Sequence, residues 1–533
     1  MRKALGSLVI AASFVLASCA GGGGSGGAGG LAGPSGPAVM TLSAAAGDAQ
    51  ITFTFNTVSG ATGYTLYYAT AGGVTPFTGT PVPMTASPFT LPGLTNGTTY
   101  YAVATYTDAA GESAPSAQAS ATPQLPLTGS PYDPGWGSVV PTTVVSFTGT
   151  ASQLEAAMNA LTPGDKLEIA NGTYNLTSKF NLDVQGTVAA PIWITPAPGA
   201  TVTLNMTATQ NVMNVGENSQ TRYLCIRGLK INGTSHGVRF YNCTQVWFDG
   251  NEVFNVGGPG VTTNTFDTSY MYITRNDIHD TGGHGEGMYL GANGAAVIMS
   301  NSIIALNHVH DCYGTGPNAQ GDGIEIKQGS WGNLVAENHV HDTNQPCILL
   351  YGTGGQAQNI VERNICYRCN DNAMQIQGEC IVRNNLCISA SASTFASQFH
   401  EANPTNIQVI HNTFINTSTA AKLSAWGGAS NMVFANNACY SQSGSAISQT
   451  GGVSGVTFAG NVCVGTVGSG ISGTIVGNGL SDFVNVSWNG TNTDAHLTAA
   501  SACKSAASAT HATTADLEGA TRTAPHDAGC YED

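Results

Sequence analysis

The sequence predicts an all-β protein in which a small antiparallel β-sandwich precedes a long parallel solenoid. Two patterns and the composition carry this reading. Asparagine recurs two places before an apolar residue, at Asn251, Asn276, Asn307, Asn338, Asn364, Asn385, Asn412, Asn437 and Asn461, with separations of 25, 31, 31, 26, 21, 27, 25 and 24. Periods in this range mark units that bury an apolar face only by stacking on their neighbours. From Pro37 to Pro123 the pattern is instead short alternating strands, such as Gln50-Ile51-Thr52-Phe53-Thr54-Phe55, separated by Gly, Pro and Asn turns. Only 9% of the residues are charged and 68 are glycine, a composition suited to coils and turns rather than long solvated helices.

At the N-terminus, Met1-Arg2-Lys3 precedes an apolar run from Leu5 to Leu16 ending in small residues, the layout of a secretory signal. Leu16-Ala17-Ser18-Cys19 resembles the cleavage site of bacterial lipoproteins. That resemblance implies a signal over residues 1–18, lipid on Cys19 and, with Ala20 in place of Asp, an outer-membrane or cell-surface location. Residues 19–36 are almost entirely Gly, Ser, Ala and Pro and read as a flexible tether. No later apolar run approaches the roughly 18 residues a span needs, so lipid is the only membrane attachment expected.

Within residues 37–123, Leu94-Thr95-Asn96-Gly97-Thr98-Thr99-Tyr100 resembles the tyrosine-corner strand of fibronectin type III domains, and Gly111-Glu112-Ser113 fits the start of their last strand. A spacer role follows from the resemblance. A Pro/Gly-rich linker occupies 124–143. Residues 151–161 read as an amphipathic helix that caps the solenoid of residues 144–500. Asn171-Gly172-Thr173-Tyr174 and Pro191-Ile192-Trp193-Ile194-Thr195 resemble the opening coils of right-handed, single-stranded parallel β-helix (pectin-lyase-like) proteins, particularly the chondroitinase B and alginate lyase group. The recurring asparagines are expected to point inward and satisfy backbone groups between coils. Nine coils at about 4.8 Å each give a groove roughly 40 Å long, suited to an extended polymer. Asp516, Gly519, Arg522, Pro525 and Asp527-Ala528-Gly529-Cys530 resemble the closing segment of exported β-helix proteins, which implies that residues 501–533 cover the last coil.

Thirteen cysteines leave twelve beyond Cys19, and disulfides persist in an oxidising compartment. Cys503–Cys530 is the pairing favoured. Cys366, Cys387, Cys439 and Cys463 follow the recurring asparagine by two residues and read as core positions. Cys366 and Cys369 form a C-x-x-C with no second pair, a weak signal for zinc or redox chemistry. With a net charge of -15 and only 16 Lys plus Arg, nucleic acid is excluded as a partner; an extracellular polysaccharide and a monomeric state are expected.

Two similar strands, His284-Gly285-Glu286-Gly287-Met288-Tyr289-Leu290-Gly291 and Gln320-Gly321-Asp322-Gly323-Ile324-Glu325-Ile326-Lys327, align Glu286 with Asp322, Tyr289 with Glu325 and Gly291 with Lys327. With Met288, Leu290, Ile324 and Ile326 inward, Tyr289, Glu325 and Lys327 face out, and later coils add Tyr351, Gln375 and Gln377. This set fits β-elimination on a uronate polysaccharide. Glu286, Asp322 and Glu325 could hold Ca2+ to neutralise the substrate carboxylate, Lys327 would be the base if its pKa is lowered, and Tyr289 or Tyr351 the proton donor. Glu325, Gln375, Gln377 and His284 would bind substrate. In the lyases resembled, a lysine base follows an acid-rich strand and an arginine lies one coil later; here Tyr351 stands about where that arginine would. The alternatives are a non-catalytic glycan-binding or adhesin-type surface protein and a polygalacturonase-like hydrolase. For the latter, Gly323 replaces the second aspartate that paired-carboxylate hydrolysis requires. Finally, His308, His310 and Asp311 with His339, His341 and Asp342, plus His279 and Asp280, place four imidazoles in a square that could bind a transition metal or simply stack.

Overall fold

The computed structural model describes residues 40–46, 50–95, 98–121, 123 and 130–533, so the signal, Cys19 and the tether lie outside the described residues. The chain divides into two compact units, one up to Gln124 and one from Leu125. In the first, Leu42–Ala46, Ile51–Phe55 and Phe89–Leu91 form one antiparallel sheet, and Gly63–Ala69, Thr80–Met84, Tyr100–Asp108, Gly111–Glu112 and Ala119–Ala121 form another. Alternation along the strands buries Ile51, Phe53, Leu66, Ala102 and Ala104 between them. The Tyr100 hydroxyl accepts the Thr95 N–H at 3.1 Å, the contact expected of a tyrosine corner.

In the second unit every coil contributes a strand to each of three parallel faces, here sheets A, B and C. Sheet A runs from Thr143–Phe147 to Thr457–Ala459, sheet B starts at Gly172–Leu176, and sheet C starts at Phe180–Leu182. Their inward side chains merge into one core running the length of the solenoid. Helix Ala151–Asn159 buries Leu154 and Met158 at the open first coil, and Gln153 Oε1 accepts the Thr150 N–H at 2.9 Å. It stops two residues earlier than the pattern predicts, because Pro163 disfavours helical geometry at Thr162. Part of the expected linker is docked on the solenoid: Tyr132 donates to Glu337 Oε1 at 2.8 Å, and Trp136 packs edge-on against Trp193 and Trp247.

The turn from sheet A to sheet B explains the asparagine period. A residue with left-handed backbone precedes each asparagine: Arg275 (φ 56), Leu306 (60), Glu337 (53), Arg363 (55), His411 (56) and others. A side chain there costs about 1–2 kcal/mol. The asparagine offsets it with a buried network. Asn338 Oδ1 accepts the Asn307 N–H at 3.0 Å and the Asn307 Nδ2 at 2.9 Å, while Asn338 Nδ2 donates to Ile304 O at 2.8 Å and Asn364 Oδ1 at 3.0 Å. A shorter second ladder, Asn333 and Asn359 with Ser302, does the same before sheet A strands.

Cys366, Cys387, Cys439 and Cys463 are buried core residues, as expected. The favoured Cys503–Cys530 pairing is not formed. Cys503 Sγ lies 3.4 Å from the Tyr440 hydroxyl instead, and Cys530 donates its N–H to Thr413 Oγ1. The disulfide is Cys347–Cys369, whose Cα atoms are 5.9 Å apart where the ends of a sheet C and a sheet B strand converge inside the solenoid. The C-x-x-C is therefore divided between a core thiol and a bridge. The tail does not cover the last coil: Leu517, Ala528, Cys530 and Tyr531 pack with Leu386, Ile388, Ile415 and Tyr440 on the flank of sheet B. Those outward side chains are apolar over successive coils, so the tail buries more there than at the end, where Val476 remains 84% exposed. No helix among the described residues is long and apolar enough to cross a membrane.

Replacing Asn338 with Ala leaves the buried Asn307 N–H without its side-chain acceptor and removes the bonds to Asn307 Nδ2, the Ile304 carbonyl and Asn364 Oδ1. At about 1–3 kcal/mol for the orphaned group, denaturant unfolding should show a loss of about 1–3 kcal/mol. The exposed Asn175→Ala should stay within about 0.5 kcal/mol of the parent.

Candidate active site

Sheet C carries a cleft of about 430 Å³. Its floor follows from strand register: Tyr289 pairs with Glu325, Glu325 with Leu349, and Leu349 with Gln375. Met288, Leu290, Ile324 and Ile326 are fully buried inward, so the alternate residues face out. Continuing the register sets Glu286 beside Asp322, and Gly291, Lys327 and Tyr351 in one row. Gly291 has φ 86, and a side chain there would press on Ser330 Oγ and Lys327.

Although they face out, Glu286, Asp322, Glu325 and Lys327 are each no more than 5% exposed, because neighbouring turns and the 398–402 segment wall the cleft. The carboxylate oxygens of Glu286, Asp322 and Glu325 lie within 4.8 Å of one another. Glu286 Oε2 and Asp322 Oδ1 are buried with no hydrogen-bond partner. Burial, and then the charges of Glu325 and Glu286, push the Asp322 carboxyl well above its ordinary range. Burial likewise raises Glu286 and Glu325, the latter despite Lys327.

Lys327 Nζ is ion-paired with Glu325 Oε1 and sits 4.5 Å above the Tyr289 ring and 5.0 Å from the Tyr351 ring. Burial pushes its pKa down, but Glu325 more than reverses this and the net shift is upward. This shift is opposite to the lowered pKa expected of a lysine base. Tyr351 donates to or accepts from His400 Nε2 at 2.8 Å. Burial and the charges of Glu325 and Asp322 raise the Tyr351 hydroxyl far above its usual value, so it keeps its proton.

Among the expected substrate-binding residues, Gln375 is on the wall, its Oε1 accepting Asn372 Nδ2 at 2.9 Å, and His284 is at the exposed rim. Gln377 is not in the cleft. It is 1% exposed and donates to Ala402 O at 3.1 Å, so it anchors the 398–402 segment instead of meeting substrate. That segment also brings in His400 and Glu401, which the repeat analysis misses because they lie between strands Ser393–Ser397 and Ile407–Ile410. The adjacent His400-Glu401 pair in the loop that follows a sheet C strand is the signal that could have found them.

Three hard oxygen donors with two unused buried atoms fit a divalent cation of the calcium class. A family model described as a right-handed β-helix region matches residues 201–358. Among curated protein sequences none matches the chain. Similar solved structures include an alginate lyase from Paenibacillus sp. (20% identity, 49% of this chain and 95% of that one, TM-score 0.36) and a pectate lyase (16%, 74% and 97%, 0.43). A further similar structure is a fibronectin type III-like protein from Clostridium thermocellum (27%, 18% and 100%, 0.14).

A carboxyl whose pKa rises on folding favours the folded state fully below its ordinary value of about 4, and loses that contribution as pH climbs through the raised value. Metal-free protein should therefore gain melting temperature from Asp322→Asn at pH 8 and little at pH 4. Ca2+ at about 100 times its Kd should stabilise the parent by about 2.7 kcal/mol at pH 8, and the Asp322→Asn variant much less. Calorimetry at the two pH values checks both.

Proposed function

We propose that the sheet C cleft is the active site of an exported polysaccharide lyase acting on an acidic, uronate-containing chain by β-elimination. The observation that carries this reading is the meeting of three buried carboxylates, two with unused oxygens, a buried lysine and a Tyr–His pair on one open wall of a solenoid. The solenoid supports an extended ligand, and the cleft supplies the charges that elimination requires.

Glu286, Asp322 and Glu325 would hold Ca2+, which when bound neutralises the uronate carboxylate and acidifies the adjacent carbon-bound proton. Acidic groups otherwise dominate this cleft, where Asp371 and Glu401 join those three, so an anionic polymer is repelled without such compensation. Lys327, a cation between two aromatic rings, pairs with the substrate carboxylate as negative charge develops on it. Tyr351 and His400 share a hydrogen bond, and this pair moves the proton: His400 accepts it from the sugar carbon and Tyr351 donates to the leaving glycosidic oxygen. Tyr289 orients Lys327, and Gln375 with His284 contacts the sugar. The reading of the N-terminus adds export and a lipid on Cys19, which would hold the solenoid outside the cell, where such polymers are.

The test is absorbance of unsaturated ends on incubation with alginate, pectate or chondroitin in Ca2+. Activity on one of them is expected, with Tyr351→Phe lowering kcat about 10²–10⁴-fold. Lys327→Ala should lose activity that Lys327→Arg partly keeps; equal loss in both would return Lys327 to the role of base. Binding of a glycan with no unsaturated product from any of the three would overturn the lyase reading in favour of a glycan-binding surface protein.

A further inference from the structure

We propose that Asp277, His308 and His310 on sheet B form a second metal site, for a borderline divalent transition metal of the zinc class. His308 Nδ1 and His310 Nε2 each lie 3.2 Å from Asp277 Oδ1, and one donor atom from each of the three residues falls within 4.8 Å of the others. Asp277 Oδ1 is cut off from solvent yet takes no hydrogen bond of acceptable angle from either ring.

The surrounding hydrogen bonds leave the donor lone pairs pointing at that oxygen. His310 Nδ1 is 2.7 Å from Asp311 Oδ2, which holds a proton on Nδ1 and turns Nε2 toward Asp277; a metal ion would take the place of any proton on Nε2. His341 Nδ1 is 2.6 Å from Asp342 Oδ2, which Arg368 also holds; with its proton on Nδ1, His341 presents Nε2 as an acceptor. His308 Nε2 lies 2.9 Å from that acceptor and donates to it, which bares His308 Nδ1. His308 Nδ1, His310 Nε2 and Asp277 Oδ1 thus converge, and a cation can replace the proton that otherwise lies between them.

The rings are also held in place. Phe254, His279, His310, His341 and Tyr367 stack at centroid distances of 5.8, 4.8, 5.2 and 4.6 Å. Two imidazoles and one carboxylate select zinc, cobalt or nickel over calcium. The ligands come from two successive coils, so the ion would staple them. The four-imidazole square anticipated from sequence is present as stacked rings, but its nitrogens do not meet at one point: His341 orients His308, and His339 is exposed at the edge.

The test titrates Zn2+, and Co2+ as a spectroscopic probe, into the EDTA-treated full chain with excess Ca2+ present. One tight equivalent is expected, with visible Co2+ bands of low coordination number. His310→Ala combined with Asp277→Asn should abolish it. The positioning change Asp311→Asn, which keeps every ligand, should weaken it about 10–100-fold and shift the cobalt bands. The Asp322→Asn variant, in the separate carboxylate cluster, should keep it. Absence of a tight equivalent, its survival in the double variant, or its loss in Asp322→Asn would overturn the proposal.

Discussion

Everything on the outer wall depends on the hydrogen-bonded asparagine ladder at the turn between sheets A and B. Each ladder residue satisfies backbone of the preceding coil, as Asn307 does for the Asn276 N–H and the Ile273 carbonyl, and bonds the asparagine side chains above and below it, and so locks coil to coil without slip. A one-residue slip would exchange every inward side chain for an outward one. Because the register is held, Glu286 stays beside Asp322 and Lys327 beside Tyr351, and Asp277 stays beside His308. The ladder also offsets left-handed turns at Arg275, Leu306 and Glu337, positions that carry bulky side chains where glycine would be less strained.

Stacking identical strand patterns concentrates like groups, and the two clusters show opposite consequences. On sheet C, like charges meet in a walled cleft. Burial and mutual repulsion raise Asp322, and Lys327 pairs with Glu325 without offsetting its burial. On sheet B, imidazoles stack at the spacing of coils, and each partner aspartate, Asp280, Asp311 or Asp342, orients its own histidine. One cluster presents hard oxygen donors and the other nitrogen donors, which separates the cations they suit.

The fold was legible because its signals are periodic. Asparagine spacing, inward Met288, Leu290, Ile324 and Ile326, and the stacking of Tyr289 on Glu325 all follow from the alternation of a strand and the repeat of a coil. The core cysteines were legible for the same reason. The disulfide was not, since Cys347 and Cys369 meet only where strands of two sheets turn toward each other. Nor was the tail, whose place depends on the apolar flank made by Leu386, Ile388, Ile415 and Tyr440 from separate coils.

By itself the sequence determined the solenoid, its register and the membership of the acid and lysine cluster, because each depends on local alternation repeated at a nearly constant period. Only the tertiary structure decided the contacts within it. Glu325 is in direct contact with Lys327 and, with Tyr289 and Asp322, turns the net shift of its pKa upward against burial. Tyr351 gains His400, and Gln377 is withdrawn from the cleft, because the 398–402 segment folds back over sheet C. Those effects arise from distances between residues far apart in the chain, and Coulomb and desolvation energies depend on such distances rather than on sequence spacing.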